Sequence, residues 1–211
     1  MKMRSCAPLA VHAVAFVVLA ACASADTPTE TGPRPAGLNA DVVAVAPGGS
    51  RTLRLVDAAG TAVAAGGVRW KSADPSVAKV NGSGVVTAKK LGGAVISARV
   101  GDDTFSAVVW VVPPSIQSCE TNTARLCATW TLNENGQYDA VWTQGSVAVI
   151  SVRKFTPDSA AFLRVDPSGT SRGMRAHYQG AHEDGSLRGG LVTWTAAGSN
   201  TSFSGTWVAG W

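Results

Sequence analysis

Nowhere in this chain do apolar residues recur at helical spacing between caps; short β-branched segments are instead cut by turn signals every few residues. That cadence suits strands alone, so an all-β fold is expected, with connections at Gly, Asn, Asp and Pro. In the first half the expected strands are 42–45, 52–56, 68–72, 77–80, 85–88, 94–100 and 104–112, separated by turns such as Pro47-Gly48-Gly49 and Asn81-Gly82-Ser83-Gly84. Along 94–100, Ile96, Ala98 and Val100 should face inward and Ser97 and Arg99 water. Short strands at this spacing over about 70 residues predict a β-sandwich. In the second half the expected strands are 126–132, 137–143, 147–155, 160–165, 174–178, 186–195 and 202–211, which predict a second small antiparallel β-sandwich or barrel.

Pro113-Pro114 closes the first unit, because neither proline donates to a ladder. The expected organisation is a signal peptide at 1–21, a flexible tether at 22–39, a sandwich at 40–112, a linker at 113–117 and a Trp-rich β domain at 118–211. The N-terminus carries Lys2 and Arg4, then an apolar run, then Leu19-Ala20-Ala21-Cys22. Those four residues resemble the lipobox of bacterial lipoproteins, which implies export, cleavage before Cys22 and lipidation of Cys22. An apolar run of about 15 residues is too short for a membrane span, which needs roughly 20. The competing reading is an ordinary secretory signal cut after Ala23. The expected address is the cell envelope, lipid-anchored, at the outer membrane or cell surface, with the membrane as a partner through the anchor.

Trp70-Lys71-Ser72-Ala73-Asp74-Pro75-Ser76-Val77-Ala78-Lys79-Val80, followed in order by Gly84-Val85-Val86-Thr87-Ala88 and Gly93-Ala94-Val95-Ile96-Ser97-Ala98, resembles the signature of bacterial Ig-like domains, group 2 (BIG2). The resemblance covers residues 40–112. It implies an Ig-like β-sandwich of the intimin and invasin kind, a spacer or presenter with no catalytic residues. Trp70 is expected to anchor its core.

Of the four cysteines, Cys6 would leave with the signal, and the lipobox resemblance implies that Cys22 would carry the lipid. Cys119 and Cys127 remain, and in an oxidising compartment they are expected to form a disulfide. A zinc site at that pair lacks nearby histidine. The chain holds 18 Lys+Arg against 14 Asp+Glu, and removal of Lys2 and Arg4 leaves 16 against 14. So even a balance, without basic blocks, gives no basis for a nucleic-acid partner.

Five of the seven tryptophans, Trp130, Trp142, Trp194, Trp207 and Trp211, fall in the second module. Tyr138, Ala140 and Trp142 share one face of an alternating strand. These aromatics either fill a core poor in Leu and Ile or form stacking platforms, for which Tyr138, Trp142, Trp194 and Trp211 are the candidate ligand contacts. The ligand would be a polysaccharide or a surface protein. Gly205-Thr206-Trp207 gives the module a texture similar to small-barrel binders such as the avidins, at the level of fold only. A membrane-spanning barrel is not expected, because eight strands of about ten residues plus turns exceed the module.

Catalysis is not expected. There is no G-x-S-x-G elbow and no Gly-rich phosphate loop before a helix. Glu120, Glu134, Asp139, Asp158, Asp166, Glu183 and Asp184 read mostly as solvated turn residues. His177, His182 and Glu183, near a turn at 178–185, would form a metal or hydrolytic site only if their side chains converge. No metal and no cofactor are expected. The resulting expectation is a surface-anchored lipoprotein whose Ig-like spacer presents a binding or adhesion module; the alternative is a structural envelope protein without a discrete ligand.

Overall fold

The computed structural model describes residues 34–211 apart from 65, 122–124, 170 and 184–185, and leaves the side chains of 188 and 189 undescribed. The signal peptide, Cys22 and tether residues 23–33 lie outside the described residues. Every described element is a strand, and Pro33–Trp211 forms one compact unit.

The N-terminal sandwich contains β1 (Gly37–Leu38), β2 (Val42–Val45), β3 (Ser50–Thr52), β4 (Leu55–Val56), β5 (Arg69–Ser72), β6 (Ala78–Val80), β7 (Val85–Ala88), β8 (Gly92–Val100) and β9 (Asp103–Val111). One sheet runs β2-β9-β8-β5, with β2 parallel to β9; the facing sheet runs β3-β7-β6, and β1 pairs with β4. Alternation along β8 buries Ala94, Ile96 and Ala98 against Val86, Ala107 and Val109, as the period of two requires. Trp70 departs from its expected role. It sits on the edge strand β5, half-buried, and lies over Gly84, where a Cβ would come within 2.8 Å of the indole. Leu53, Ile96 and Val86 hold the centre of this core instead.

The second module is a closed barrel of β10 (Ser115–Thr121), β11 (Arg125–Leu132), β12 (Gln137–Trp142), β13 (Val147–Phe155), β14 (Ser159–Val165), β15 (Arg175–Glu183), β16 (Ser186–Thr195) and β17 (Ser202–Gly210). Each strand pairs antiparallel with the next, and β17 returns to β10. Strands of six to ten residues close an eight-stranded barrel within this length, so the strand arithmetic was too strict. The apolar interior nevertheless differs from the polar lumen of a membrane barrel, and the outer wall mixes polar residues with exposed Val141, Val147, Leu191 and Val208. Trp130, Tyr138, Phe162, Tyr178 and Trp207 pack inside, while Gln117, Thr129, Asp139, Arg153 and His177 are exposed.

Four segments differ from expectation. The strand expected at 52–56 is interrupted, with β3 ending at Thr52 and β4 beginning at Leu55 in a different sheet. β1 lies within the stretch read as tether, and β10 begins inside the stretch read as linker. β10 escapes a search for apolar alternation because two of its inward residues, Ser118 and Glu120, are polar. β15 runs on to Glu183 through the expected turn at 178–185, with a register irregularity between Gln179 and His182.

The sandwich closes one end of the barrel. Val111 points into the sandwich core, while its neighbour Val112 enters the barrel core with Ala44. Trp110 lies flat over Gly93 and packs, with Leu91, against the barrel interior. Tyr138 donates a hydrogen bond to the Pro113 carbonyl at 2.6 Å, and Arg51 donates to the Glu134 carbonyl. Because β10, β12, β14 and β16 run away from this junction, the opposite, distal end is marked by the end of β10 at Thr121, the start of β11 at Arg125, and the described connections 143–146, 166–169, 171–174 and 196–201.

Candidate functional site at the distal end of the barrel

Just inside the distal end the inward rows of five strands bring polar residues together. Ile116, Ser118 and Glu120 alternate inward on β10, and Ala160, Phe162 and Arg164 do so on β14. Arg164 bonds Asp166 through two contacts, Nε to Oδ1 at 2.6 Å and Nη2 to Oδ2 at 3.0 Å. Its Nη1 reaches Glu120 Oε1 at 3.4 Å, and its guanidinium carbon stands 3.8 Å from the centre of the Trp142 ring. Glu120 also accepts from the Tyr178 hydroxyl at 2.6 Å and the Trp194 indole at 3.2 Å. Both carboxylates and the guanidinium are buried.

Burial pushes Glu120 above the ordinary carboxylate range, although Tyr178, Arg164 and Trp194 pull it back. Burial works against the Arg164 charge, yet the bonded Asp166 and neighbouring Tyr178 carry it above its usual value. Burial, then the nearby Glu120, raises Tyr178 well above its ordinary value. A guanidinium stacked on an indole and forked onto a carboxylate is a fixed arrangement. As the groups bond one another, the layer is polar mortar between strands. Ser118 Oγ and Trp130 Nε1, deeper inside, have no hydrogen-bond partner among the described residues.

The residues named from sequence lie in two different places. Trp142 and Trp194 belong to this distal layer but are buried within it, and Tyr138 is buried near the sandwich. Trp211 is half-buried at the proximal end, 4.9 Å from the His182 ring and 5.5 Å from Phe155. They form no shared stacking face. The pairing of Cys119 with Cys127 is present, directly across β10 and β11. His177 is exposed on the outer wall, whereas His182 lies against Phe155 with Nε2 2.7 Å from the Thr156 carbonyl, so the two imidazoles do not converge. Glu120 and Asp166, read as solvated, are buried ion-pair members. The inward parity of Glu120 with Ile116, and of Arg164 with Phe162, was the signal that could have found them.

The sandwich has the sheet order, the short strands and the Trp70–Val80 segment already described. Residues 37–111 match the bacterial Ig-like domain, group 2. The match covers the whole Ig-like module from β1 to the end of β9 and stops short of the barrel. A comparison with curated proteins returns no match. Among solved structures, surface layer protein SbsC is similar to the chain through its domains 4–9, at 16% identity and TM-score 0.32 over 83% of this chain and 31% of that one. Its domains 5–6 align at 14% identity and TM-score 0.32 over 81% of this chain and 94% of that one. The chain thus spans about a third of the length of the first of these structures. Likeness at these scores carries no argument about the role of the Ig-like module or the barrel.

Proposed function

We propose that this protein is an envelope-anchored bacterial lipoprotein in which the Ig-like module seats a small barrel and presents its distal end as a binding or adhesion face. One observation carries the reading: Ala44, Val112, Trp110 and Leu91 of the Ig-like side complete the barrel core at the proximal end. The distal end is then the barrel end left for a partner. Its address rests on the lipobox resemblance at Leu19-Ala20-Ala21-Cys22. The reading is of binding without catalysis, since Glu120, Asp166 and Arg164 are engaged with one another. A glycan or protein ligand stacked on Trp142 and Trp194 loses support from their burial. The same burial, shared by Trp130 and Trp207, favours a second reading: a structural envelope protein without a discrete ligand.

Fractionation of cells expressing Cys22→Ser tests the anchor, with an epitope inserted in 196–201 to report display on intact cells. Release of the variant from membranes, with the epitope accessible on the anchored parent, supports the reading. A Cys22→Ser protein that stays fully membrane-bound, or a concealed epitope on the parent, overturns it.

A further inference from the structure

The described barrel residues include seven large apolar side chains that are exposed, and five of them ring the distal end: Leu126, Val141, Val147, Val165 and Phe203, each between 38% and 52% exposed. They come from five strands. Val141 pairs directly with Val147, and Val165 with Val149 on the same outward row, so the valines form a continuous patch. Leu126 and Phe203 belong instead to the inward rows of Trp130 and Trp207, and emerge where the barrel opens. Phe203 stacks on Trp194 at 5.6 Å, which fixes its ring at the rim.

Exposed acids are segregated along the same axis, whereas exposed cations occur at both ends, with Arg153 and Lys154 in the proximal half. Arg125, Arg172 and Arg175 are exposed at the distal end. The two described carboxylates there, Glu120 and Asp166, are buried and engaged with Arg164. The exposed carboxylates Glu134, Asp139, Asp158 and Glu183 all lie in the proximal half. Apolar side chains interleaved with arginines, with no exposed acid between them, match a surface that is apolar beneath and anionic at its face. A soluble polysaccharide would meet the arginines but leave the aliphatic ring unused. We infer that the distal rim docks on an anionic phospholipid surface, with Arg125, Arg172 and Arg175 on the headgroups and Leu126, Phe203 and the valines at the acyl boundary. This rests on the reading of the distal end as the presented face.

The test uses polypeptide 23–211, which keeps the whole compact unit Pro33–Trp211 and lacks the acylated cysteine. It is sedimented with vesicles of phosphatidylglycerol and phosphatidylcholine, or of phosphatidylcholine alone. Binding is expected on the anionic vesicles and should weaken as salt rises. R125Q/R172Q/R175Q should lose on the order of a hundredfold in partitioning. Leu126→Ser with Phe203→Ser should also weaken binding, and an unchanged circular dichroism spectrum shows that either variant is folded. Equal binding to both vesicle types, or full binding by the triple variant, overturns the inference. So does binding to a soluble anionic polysaccharide with none to vesicles, which would make the rim a glycan face. Because polypeptide 23–211 omits Cys22, failure of this test leaves the Cys22→Ser result standing, and the reverse holds equally.

Discussion

The hydroxyl of Tyr138, inside the barrel, donates to the carbonyl of Pro113, the first residue beyond Val112 at the junction of the two modules. Both groups are buried, so the bond joins modules across a dry contact. Removing the donor leaves a buried carbonyl without a partner, which costs about 1–3 kcal/mol. Tyr138→Phe should therefore lower the urea-unfolding free energy by that amount. The whole chain should still unfold in one transition, since Val112 and Ala44 remain in the barrel core. A separate early transition of either module would contradict the shared core.

Gly136 tests the same junction from the other side. It turns β11 into β12 at φ +73°, and a Cβ there would lie 2.7 Å from the Ala44 carbonyl oxygen. Left-handed backbone costs a non-glycine residue about 1–2 kcal/mol, before the clash is counted. Gly136→Ala should thus destabilise by more than about 2 kcal/mol, whereas Gly145→Ala, with the same handedness and open space around it, should show only the backbone cost. Equal losses in the two variants would mean that the junction yields to the extra methyl.

Much of the architecture was legible because apolar alternation is a local property. β2, β7, β13 and β16 occupy the spans that periodicity and turns predict. β10 was hidden because Ser118 and Glu120 occupy interior positions where a search expects Val or Ile. Their burial becomes favourable only when β14 supplies Arg164 from 44 residues away, a pairing that no local window contains. Tryptophan count drew attention to the right module but not to a site, because an indole reads alike in a core and on a face. The distal rim was invisible for another reason: its members are neighbours only once eight strands close.

The Cys119–Cys127 bridge spans eight residues and joins residues already paired across β10 and β11. Closing so short a loop restricts the unfolded chain by about 2–3 kcal/mol. Cys119→Ser with Cys127→Ser should lose that amount in urea titrations without changing the near-ultraviolet signal of the buried tryptophans. Loss of that signal would show that the bridge holds the barrel closed.

Among the described residues, Arg164 is the one cation bonded to the two buried carboxylates, and Trp142 covers its face. Arg164→Met keeps much of the volume but strands Glu120 and Asp166, which should cost about 3–5 kcal/mol. Adding Glu120→Gln and Asp166→Asn removes the stranded charges, so the triple variant should recover part of the loss. If it recovers none, packing of the guanidinium on Trp142 outweighs the ion pairs.

Glu120 makes stability depend on pH with a definite sign. Burial lifts its pKa above the ordinary 4.5, and its bonds to Tyr178, Arg164 and Trp194 only partly offset this. Between the unfolded and folded values the native chain holds the extra proton, so stability is fullest below 4.5 and declines as pH rises through the folded pKa. The slope from this one group approaches about 1.4 kcal/mol per pH unit within that window. Glu120→Gln removes this component, and its unfolding free energy should fall less steeply than the parent's as pH rises. Urea titrations of both proteins from about pH 4 to pH 7 compare the slopes. A parent that gains stability over Glu120→Gln across that range would place a fully ionised Glu120 in the barrel, held by Arg164 and Tyr178 against the cost of burial.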